Sequence, residues 1–110
     1  MALQHAQPLD IIDVRPLGPE LRNSLTTSLL KTPTLQLMRL VLPAGQGIRE
    51  HSVAGAITVQ CLEGEAVVTT PSRECQLTAG QLVMLAGAEP HAVRALTDSS
   101  LLVTVLLLAT

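Results

Sequence analysis

The chain has 110 residues, enough for one domain with a single hydrophobic core. Apolar residues make up 47% of the sequence, too many for a disordered segment, and the formal net charge of −2 provides no field that attracts nucleic acid or an anionic membrane. The chain contains no Phe, Tyr or Trp, so a ligand has to be held by aliphatic walls, His, Cys, amides and hydroxyls. We therefore expect one domain over residues 1–110, with neither nucleic acid nor a membrane as partner.

The two ends of the chain and its cysteines indicate a cytoplasmic protein. Residues 1–8 are polar, lack the basic start and apolar stretch of a secretory signal, and are expected to form a flexible tail. Cys61 and Cys75 do not have the CxxC spacing of a metal site, and free thiols are the default in the cytosol. The apolar run Leu101–Ala109 is shorter than the roughly 20 residues of a membrane helix, so it predicts a buried strand.

Pro- and Gly-rich turn signals recur at short intervals, and the stretches between them are rich in Val, Leu, Ile and Thr. This pattern is typical of an all-β sandwich or barrel. The segment Glu20–Leu30 is compatible with a helix or a strand, and its threonines favour the strand. In chain order, the predicted strands are Asp10–Leu17, Ser24–Lys31, Leu35–Leu42, Gly55–Leu62, Glu65–Thr70, Glu74–Thr78, Leu82–Leu85, His91–Ala95 and Leu101–Leu108.

The short connections predict antiparallel neighbours, and closing the sheet on itself removes exposed edges. The fifth and sixth predicted strands are expected to pair as a hairpin. Leu62, Leu85 and Val103 are predicted to lie in the core. Asp10–Leu17 is expected to form an edge strand with solvated charges.

Two segments carry glycine and histidine at characteristic spacings. The first runs from Gly45 through His51 to Gly64, and the second from Gly80 to His91. Together they resemble the two motifs of the cupin superfamily. The first of these motifs reads G, five residues, H-x-H, three or four residues, E, six residues, G, and the second reads G, five residues, P-x-G, two residues, H. The resemblance covers residues 45–91 and implies a cupin-type β-barrel, which is an antiparallel double-stranded β-helix or jelly roll. It extends to small bacterial cupins with no assigned activity.

The resemblance also implies a metal site that is partly lost. His51 and His91 match two of the family's ligand positions, whereas Val53 stands at the second histidine position and Ile57 at the glutamate position. Side chains at i, i+2 and i+6 of a strand share one face, so we expect His51, Val53 and Ile57 to face the barrel interior. Two imidazoles are fewer than the ligands of catalytic zinc or non-haem iron sites. The expected cofactor is therefore none, or a divalent transition metal held by His51 and His91.

The sequence offers no clear third metal ligand to join His51 and His91. Cys61 has the same strand parity as His51 but lies about 33 Å further along an extended strand. Glu50 and Glu89 flank the histidines and are expected to point away from them. No residue carries a recognisable catalytic signature, although His51 and His91 are the one credible acid–base pair.

Three functions remain open. The first is binding of a small molecule in the barrel interior, with His51, Val53, Ile57, Val59 and His91 as the lining. The alternative is a metal-dependent enzyme of the oxygenase or isomerase type that uses an altered ligand set around His51 and His91. The third is a structural or regulatory accessory domain without a ligand, because a fold does not by itself imply a function.

We also expect a homodimer. The resemblance implies this assembly, since small cupins generally associate in pairs. An independent argument is that the high apolar content of so short a chain leaves more hydrophobic surface than a small barrel can bury.

Overall fold

A computed structural model describes residues 5–107, which fold into β-strands and one short 3₁₀ helix, Gly18–Asn23. None of the described helical residues forms a helix long and apolar enough to cross a membrane. The strands are Thr27–Lys31 (β1), Leu35–Leu42 (β2), Gly47–His51 (β3), Ile57–Glu63 (β4), Glu65–Thr69 (β5), Glu74–Thr78 (β6), Leu82–Leu85 (β7), His91–Ala95 (β8) and Ser99–Leu106 (β9).

The strands form two antiparallel sheets that face each other. One sheet has the order β1-β2-β9-β4-β7, and the other has the order β3-β8-β5-β6. The predicted hairpin is confirmed, because Glu65 pairs with Thr78 and Thr69 pairs with Glu74. The all-β prediction is therefore correct, and the architecture is an antiparallel jelly roll.

A single glycine carries the chain from one sheet to the other between β4 and β5. Gly64 has a φ of +85°, in the left-handed region that side chains rarely adopt. A Cβ at this position would also collide with the carbonyl oxygen of Asp98 and the hydroxyl of Ser99. The glycine that the motif places here is thus required both by the turn and by the close approach of β9.

The predicted strand Asp10–Leu17 is wrong, since this segment pairs with no other strand among the described residues. The amide of Arg15 donates to the Asp13 carboxylate at 3.0 Å, and Pro16 has no N–H to donate. Of the backbone N–H groups that would pair with a neighbouring strand, one is therefore bonded within the segment and one is absent. The Asp13–Arg15 pair is exposed, in agreement with the expected solvated charges.

Three other element predictions need correction. The ambiguous stretch Glu20–Leu30 is divided between the 3₁₀ helix and β1, and the helix is anchored by Leu21, which is buried. Strand β3 was not predicted, because all its residues except Ile48 are exposed and its start lies in a glycine-rich turn. The strand predicted to run to Leu108 ends at Leu106, and Leu108 lies outside the described residues.

The predicted tail is only partly described. The amide of Ala6 donates to the carbonyl oxygen of Leu29 at 3.0 Å, and Nε2 of His5 lies 3.0 Å from the hydroxyl of Ser28. Residues 5 and 6 therefore contact β1. Residues 1–4 lie outside the described range.

The core lies between the two sheets and is built from aliphatic and small side chains. Leu85 and Val103 belong to it, as predicted. The prediction for Leu62 is wrong: β4 turns Cys61 inward, so the next side chain lies on the outer face and is only half-buried. The buried cluster comprises Leu40, Leu42, Ile57, Val59, Cys61, Ala66, Val68, Leu77, Leu85, Val93, Ala95, Leu101 and Val103.

Glu63 attaches the N-terminal segment to the outer face of the larger sheet. Its carboxylate accepts hydrogen bonds from the amides of Leu17 (2.8 Å) and Gly18 (3.0 Å), and from the hydroxyl of Ser100. Burial raises the pKa of the Glu63 carboxyl, but these hydrogen bonds and the nearby Arg39 guanidinium outweigh that effect and leave the pKa below its usual value.

We expect Glu63→Gln to lower the free energy of unfolding at neutral pH by about 1.5–3 kcal/mol, the range for hydrogen bonds to a charged group. The folded-state pKa lies below the unfolded one, so the contribution is complete above the unfolded pKa and disappears as pH falls through the folded pKa. Urea denaturation of wild type and variant over a series of acidic to neutral pH values measures this. Glu50→Gln, at an exposed carboxyl, is the control, and an identical pH dependence for both variants would contradict the assignment.

Candidate functional site

A cavity of about 420 Å³ lies between the sheets at one end of the jelly roll. Its volume is within the range of roughly 300–1,000 Å³ that is usual for small-molecule sites. None of the described residues that line it is Asp, Glu, Lys or Arg, and most are aliphatic. All the predicted ligand-binding residues line it: His51, Val53, Ile57, Val59 and His91.

These residues reach the cavity from both sheets rather than from one continuous strand. His51 ends β3, whereas Ile57 and Val59 lie on β4 in the opposite sheet, and Val53 lies in the connection between them. The chain from His51 to Ile57 is therefore not one extended segment, as the prediction from strand periodicity assumed. The side chains still converge, because the inner faces of both sheets border the same space.

Backbone contacts hold the connection that carries Val53. The amide of Ala88 donates to the carbonyl oxygen of Val53 at 2.7 Å, and that of Leu106 donates to the carbonyl oxygen of Ala56 at 3.0 Å. A Cβ at Gly55 would collide with the carbonyl oxygen of Leu106, so only glycine fits this crossing. Val53 is thus placed at the rim of the cavity by the end of β9 and the loop before β8.

Ala88 has an unusual backbone conformation at a glycine position of the second motif. It occupies the place of the motif's glycine and has a φ of +64°. A left-handed conformation costs a residue with a side chain about 1–2 kcal/mol. Ala88 therefore adopts a backbone conformation for which the motif's glycine is better suited.

The two histidines form a cross-strand pair at the open end of the cavity. His51 and His91 are directly opposite on β3 and β8, with ring centroids 4.3 Å apart and planes tilted by 57°. Nδ1 of His51 lies 3.0 Å from the carbonyl oxygen of Arg49, and Nδ1 of His91 lies 3.1 Å from that of Glu89. A carbonyl oxygen only accepts hydrogen bonds, so each Nδ1 carries a proton and, in the neutral ring, each Nε2 is an acceptor.

Their surroundings differ. The side chain of His91 is buried, with 3% of its surface exposed, whereas His51 is exposed. His51 therefore forms the outer member of the pair and can be replaced with less effect on the core.

The residues present do not match the ligand set of a catalytic metal. No group of three or more His, Cys, Asp or Glu side chains comes together within the part of the chain that the structure describes. Glu50 is exposed, and Glu89 lines a different hollow beside Arg73 and Cys75. Val53 and Ile57 have no lone pair to donate, so two imidazoles remain where zinc and iron sites use three protein ligands.

Cys61 is a free thiol in the core and is not part of the cavity lining. Its Sγ contacts the carbonyl oxygens of Glu63 and Gly64 at 3.4 and 3.5 Å. Burial raises the pKa of the Cys61 thiol, which keeps it neutral and disfavours a role as nucleophile or ligand.

One polar residue of the lining, Gln36 on β2, was not predicted from the sequence. Its Nε2 donates to the hydroxyl of Ser28 at 3.2 Å. Strand periodicity could have identified it. Gln36 lies on the same face of β2 as Met38, Leu40 and Leu42, and these three belong to the core or pack on it.

Comparison with known proteins supports the fold. No family model matches the sequence, and no curated protein is significantly similar to it. Among solved structures, a cupin superfamily protein from Desulfitobacterium hafniense DCB-2 is 21% identical with a TM-score of 0.76, over 93% of this chain and 99% of that one. A conserved protein of unknown function from Streptococcus pyogenes has the same identity and TM-score, over 100% and 97% of the two chains.

An enzyme is also among the structural neighbours. Salicylate 1,2-dioxygenase from Pseudoaminobacter salicylatoxidans, with bound gentisate, is 22% identical with a TM-score of 0.63, over 72% of this chain and 21% of that one. These likenesses show that the chain has the cupin fold. Because that fold carries both an oxygenase and proteins of unknown function, the function has to be argued from the cavity.

We expect the double substitution Val53→His with Ile57→Glu to create a divalent metal site together with His51 and His91. All four positions line the same cavity, and three imidazoles with a carboxylate suit Fe²⁺, Mn²⁺, Ni²⁺ or Zn²⁺. Affinity should rise by at least about a hundredfold over wild type as two protein ligands become four, since losing even an outer-shell partner of a metal ligand costs about 10–100-fold. Isothermal titration calorimetry on the folded, metal-free variant measures it.

The matched control is Ser52→His with Thr58→Glu, which places the same groups one residue along the chain. Both positions lie outside the cavity lining. Equal metal affinity in the two variants, or no gain in the first, would show that the four cavity positions do not converge.

Proposed function

We propose that this protein binds a small molecule in the cavity between its two sheets. The observation that carries this proposal is that the positions of the lost metal ligands, Val53 and Ile57, are aliphatic and border an open cavity beside His51 and His91. At these two positions the side chains offer apolar surface instead of metal-coordinating atoms, and the cavity has room for a ligand.

The walls of the cavity supply the driving force for binding. Aliphatic side chains from both sheets border it, among them Met38, Ile48, Val93, Val103 and Val105. Covering apolar surface is favourable by about 25 cal/mol per Å², and only the surplus over the entropic cost of association appears as affinity. The histidine pair adds polar groups at one end, which can orient a ligand.

A metal-dependent enzyme is the second candidate, and one observation favours it. Histidine ligands usually donate one ring N–H to a carbonyl or carboxylate, as His51 and His91 do through Nδ1. Elemental analysis of protein purified without chelators or a histidine tag separates the two candidates. One equivalent of a first-row metal would favour the enzyme, and a substoichiometric amount would favour metal-free binding.

We expect Val53→Trp to block ligand binding. The indole is much larger than the valine side chain it replaces at the rim, so it should fill the cavity or cover its mouth. Thermal denaturation against a panel of small metabolites measures the result. Compounds that raise the wild-type Tm by several degrees should lose most of that effect in the variant.

Thr69→Trp, at an exposed position on the smaller sheet, is the control and should respond to ligands as wild type does. Because the natural sequence has no Phe, Tyr or Trp, the introduced tryptophan also provides a fluorescence signal in both variants. A panel in which no compound stabilises wild-type protein would count against the proposal.

We also propose that the protein is a cytoplasmic homodimer that buries the outer face of its larger sheet. Leu37, Thr104, Thr58 and Met84 form one cross-strand row on that face. Met84 and Leu82 are 66% and 55% exposed, and the row carries no charge that would oppose a second copy. The predicted edge strand is absent, so this face replaces it as the expected interface.

Met84→Asp should then shift the protein toward monomer, because a carboxylate would be buried without a partner in the dimer. Light scattering coupled to size-exclusion chromatography measures the mass, with Thr69→Asp on the other sheet as control. A monomeric wild-type protein at micromolar concentration would refute the dimer.

A further inference from the structure

The cavity lining disfavours a charged ligand. The described lining residues include no Asp, Glu, Lys or Arg, neutral imidazoles carry no charge, and Val53, Ile57 and Val59 offer only aliphatic surface. An ionised group would lose its hydration on entry without gaining a counter-ion, which costs several kcal/mol. A ligand that fits these walls is therefore uncharged over most of its surface.

The histidine pair determines which polar group such a ligand should carry. Both Nδ1 atoms are occupied by backbone carbonyl oxygens, those of Arg49 and Glu89. Within residues 5–107, both rings hydrogen-bond to the protein through Nδ1, and no protein atom hydrogen-bonds to Nε2 of His51 or of His91. Two neighbouring acceptors thus border the same cavity.

Acceptors of this kind discriminate between ligand groups. A hydroxyl can donate a hydrogen bond to either Nε2, which gives that nitrogen the partner it lacks. An ether or ketone oxygen, in contrast, only accepts, so it would face two nitrogen lone pairs with no proton between them. Leaving polar groups without partners in a desolvated site weakens binding by more than a hydrogen bond gains.

We propose that the ligand is an uncharged alcohol or phenol, with an apolar body packed on the aliphatic walls and its hydroxyl donating to the His51–His91 pair. This inference rests on the proposed binding function and names the chemical class of ligand for the same cavity. It requires neutral imidazoles, because a doubly protonated ring has no acceptor nitrogen.

A matched set of probes tests the inference on the full chain. The probes are 4-tert-butylphenol, its methyl ether 4-tert-butylanisole, and 4-tert-butylbenzoate, which share one apolar body and differ in the polar group. Methyl resonances of Ile, Val, Leu and Met report binding by NMR, because these residues border the cavity. At about pH 8, where free imidazole is neutral, the phenol should bind at least about tenfold more tightly than the ether or the benzoate.

His51→Leu then tests whether the pair is the cause. This exposed residue can be replaced without emptying the core, and the preference for phenol over ether should fall to about threefold or less while the ether binds as before. His5→Leu is the control, since His5 contacts Ser28 and does not line the cavity. It should keep the tenfold preference.

The outcomes separate this inference from the function on which it rests. If the ether or the benzoate binds as tightly as the phenol, or if His51→Leu keeps the preference, the donor inference is overturned and small-molecule binding stands. If none of the three probes shifts a cavity methyl resonance and the metabolite panel is also silent, both proposals fail.

Discussion

The inner faces of two sheets have to be packed together without a single Phe, Tyr or Trp side chain, and the rest of the structure depends on this constraint. At one end, Cys61, Ala66 and Ala95 have no exposed surface, so small side chains allow the sheets to close there. At the other end, Val and Ile side chains do not span the space between the sheets, and the cavity remains. The same composition that builds the core therefore also leaves the candidate site open.

The histidine pair shows how the site retains polar chemistry in this apolar frame. His51 and His91 are brought together by the pairing of β3 with β8, and each ring is oriented by a carbonyl oxygen two residues earlier in its own chain segment. Backbone geometry thus sets the tautomer, with no need for a carboxylate. Val53 and Ile57 beside them have no lone pair to donate, so the two rings stand in a largely aliphatic cavity.

Much of the fold could be predicted because period-two patterns and turn residues are local signals. The hairpin of β5 and β6 and the buried positions of Leu85 and Val103 follow from them. Strand β3 was missed since its residues are mostly exposed and it begins in a glycine-rich turn, so it has no alternation to detect. Leu62 was misplaced because apolar character alone does not say which face of a strand a residue occupies.

For the candidate site, the sequence by itself determined the chemistry: two histidines at motif spacing, aliphatic residues at the other two ligand positions, and no Phe, Tyr or Trp. Only the tertiary structure decided that these residues meet. The chain crosses from one sheet to the other between His51 and Ile57, so their convergence depends on the packing of two sheets and not on strand periodicity. The orientation of the rings and the inclusion of Gln36 also required it, because long-range pairing sets both and leaves no mark in the local pattern.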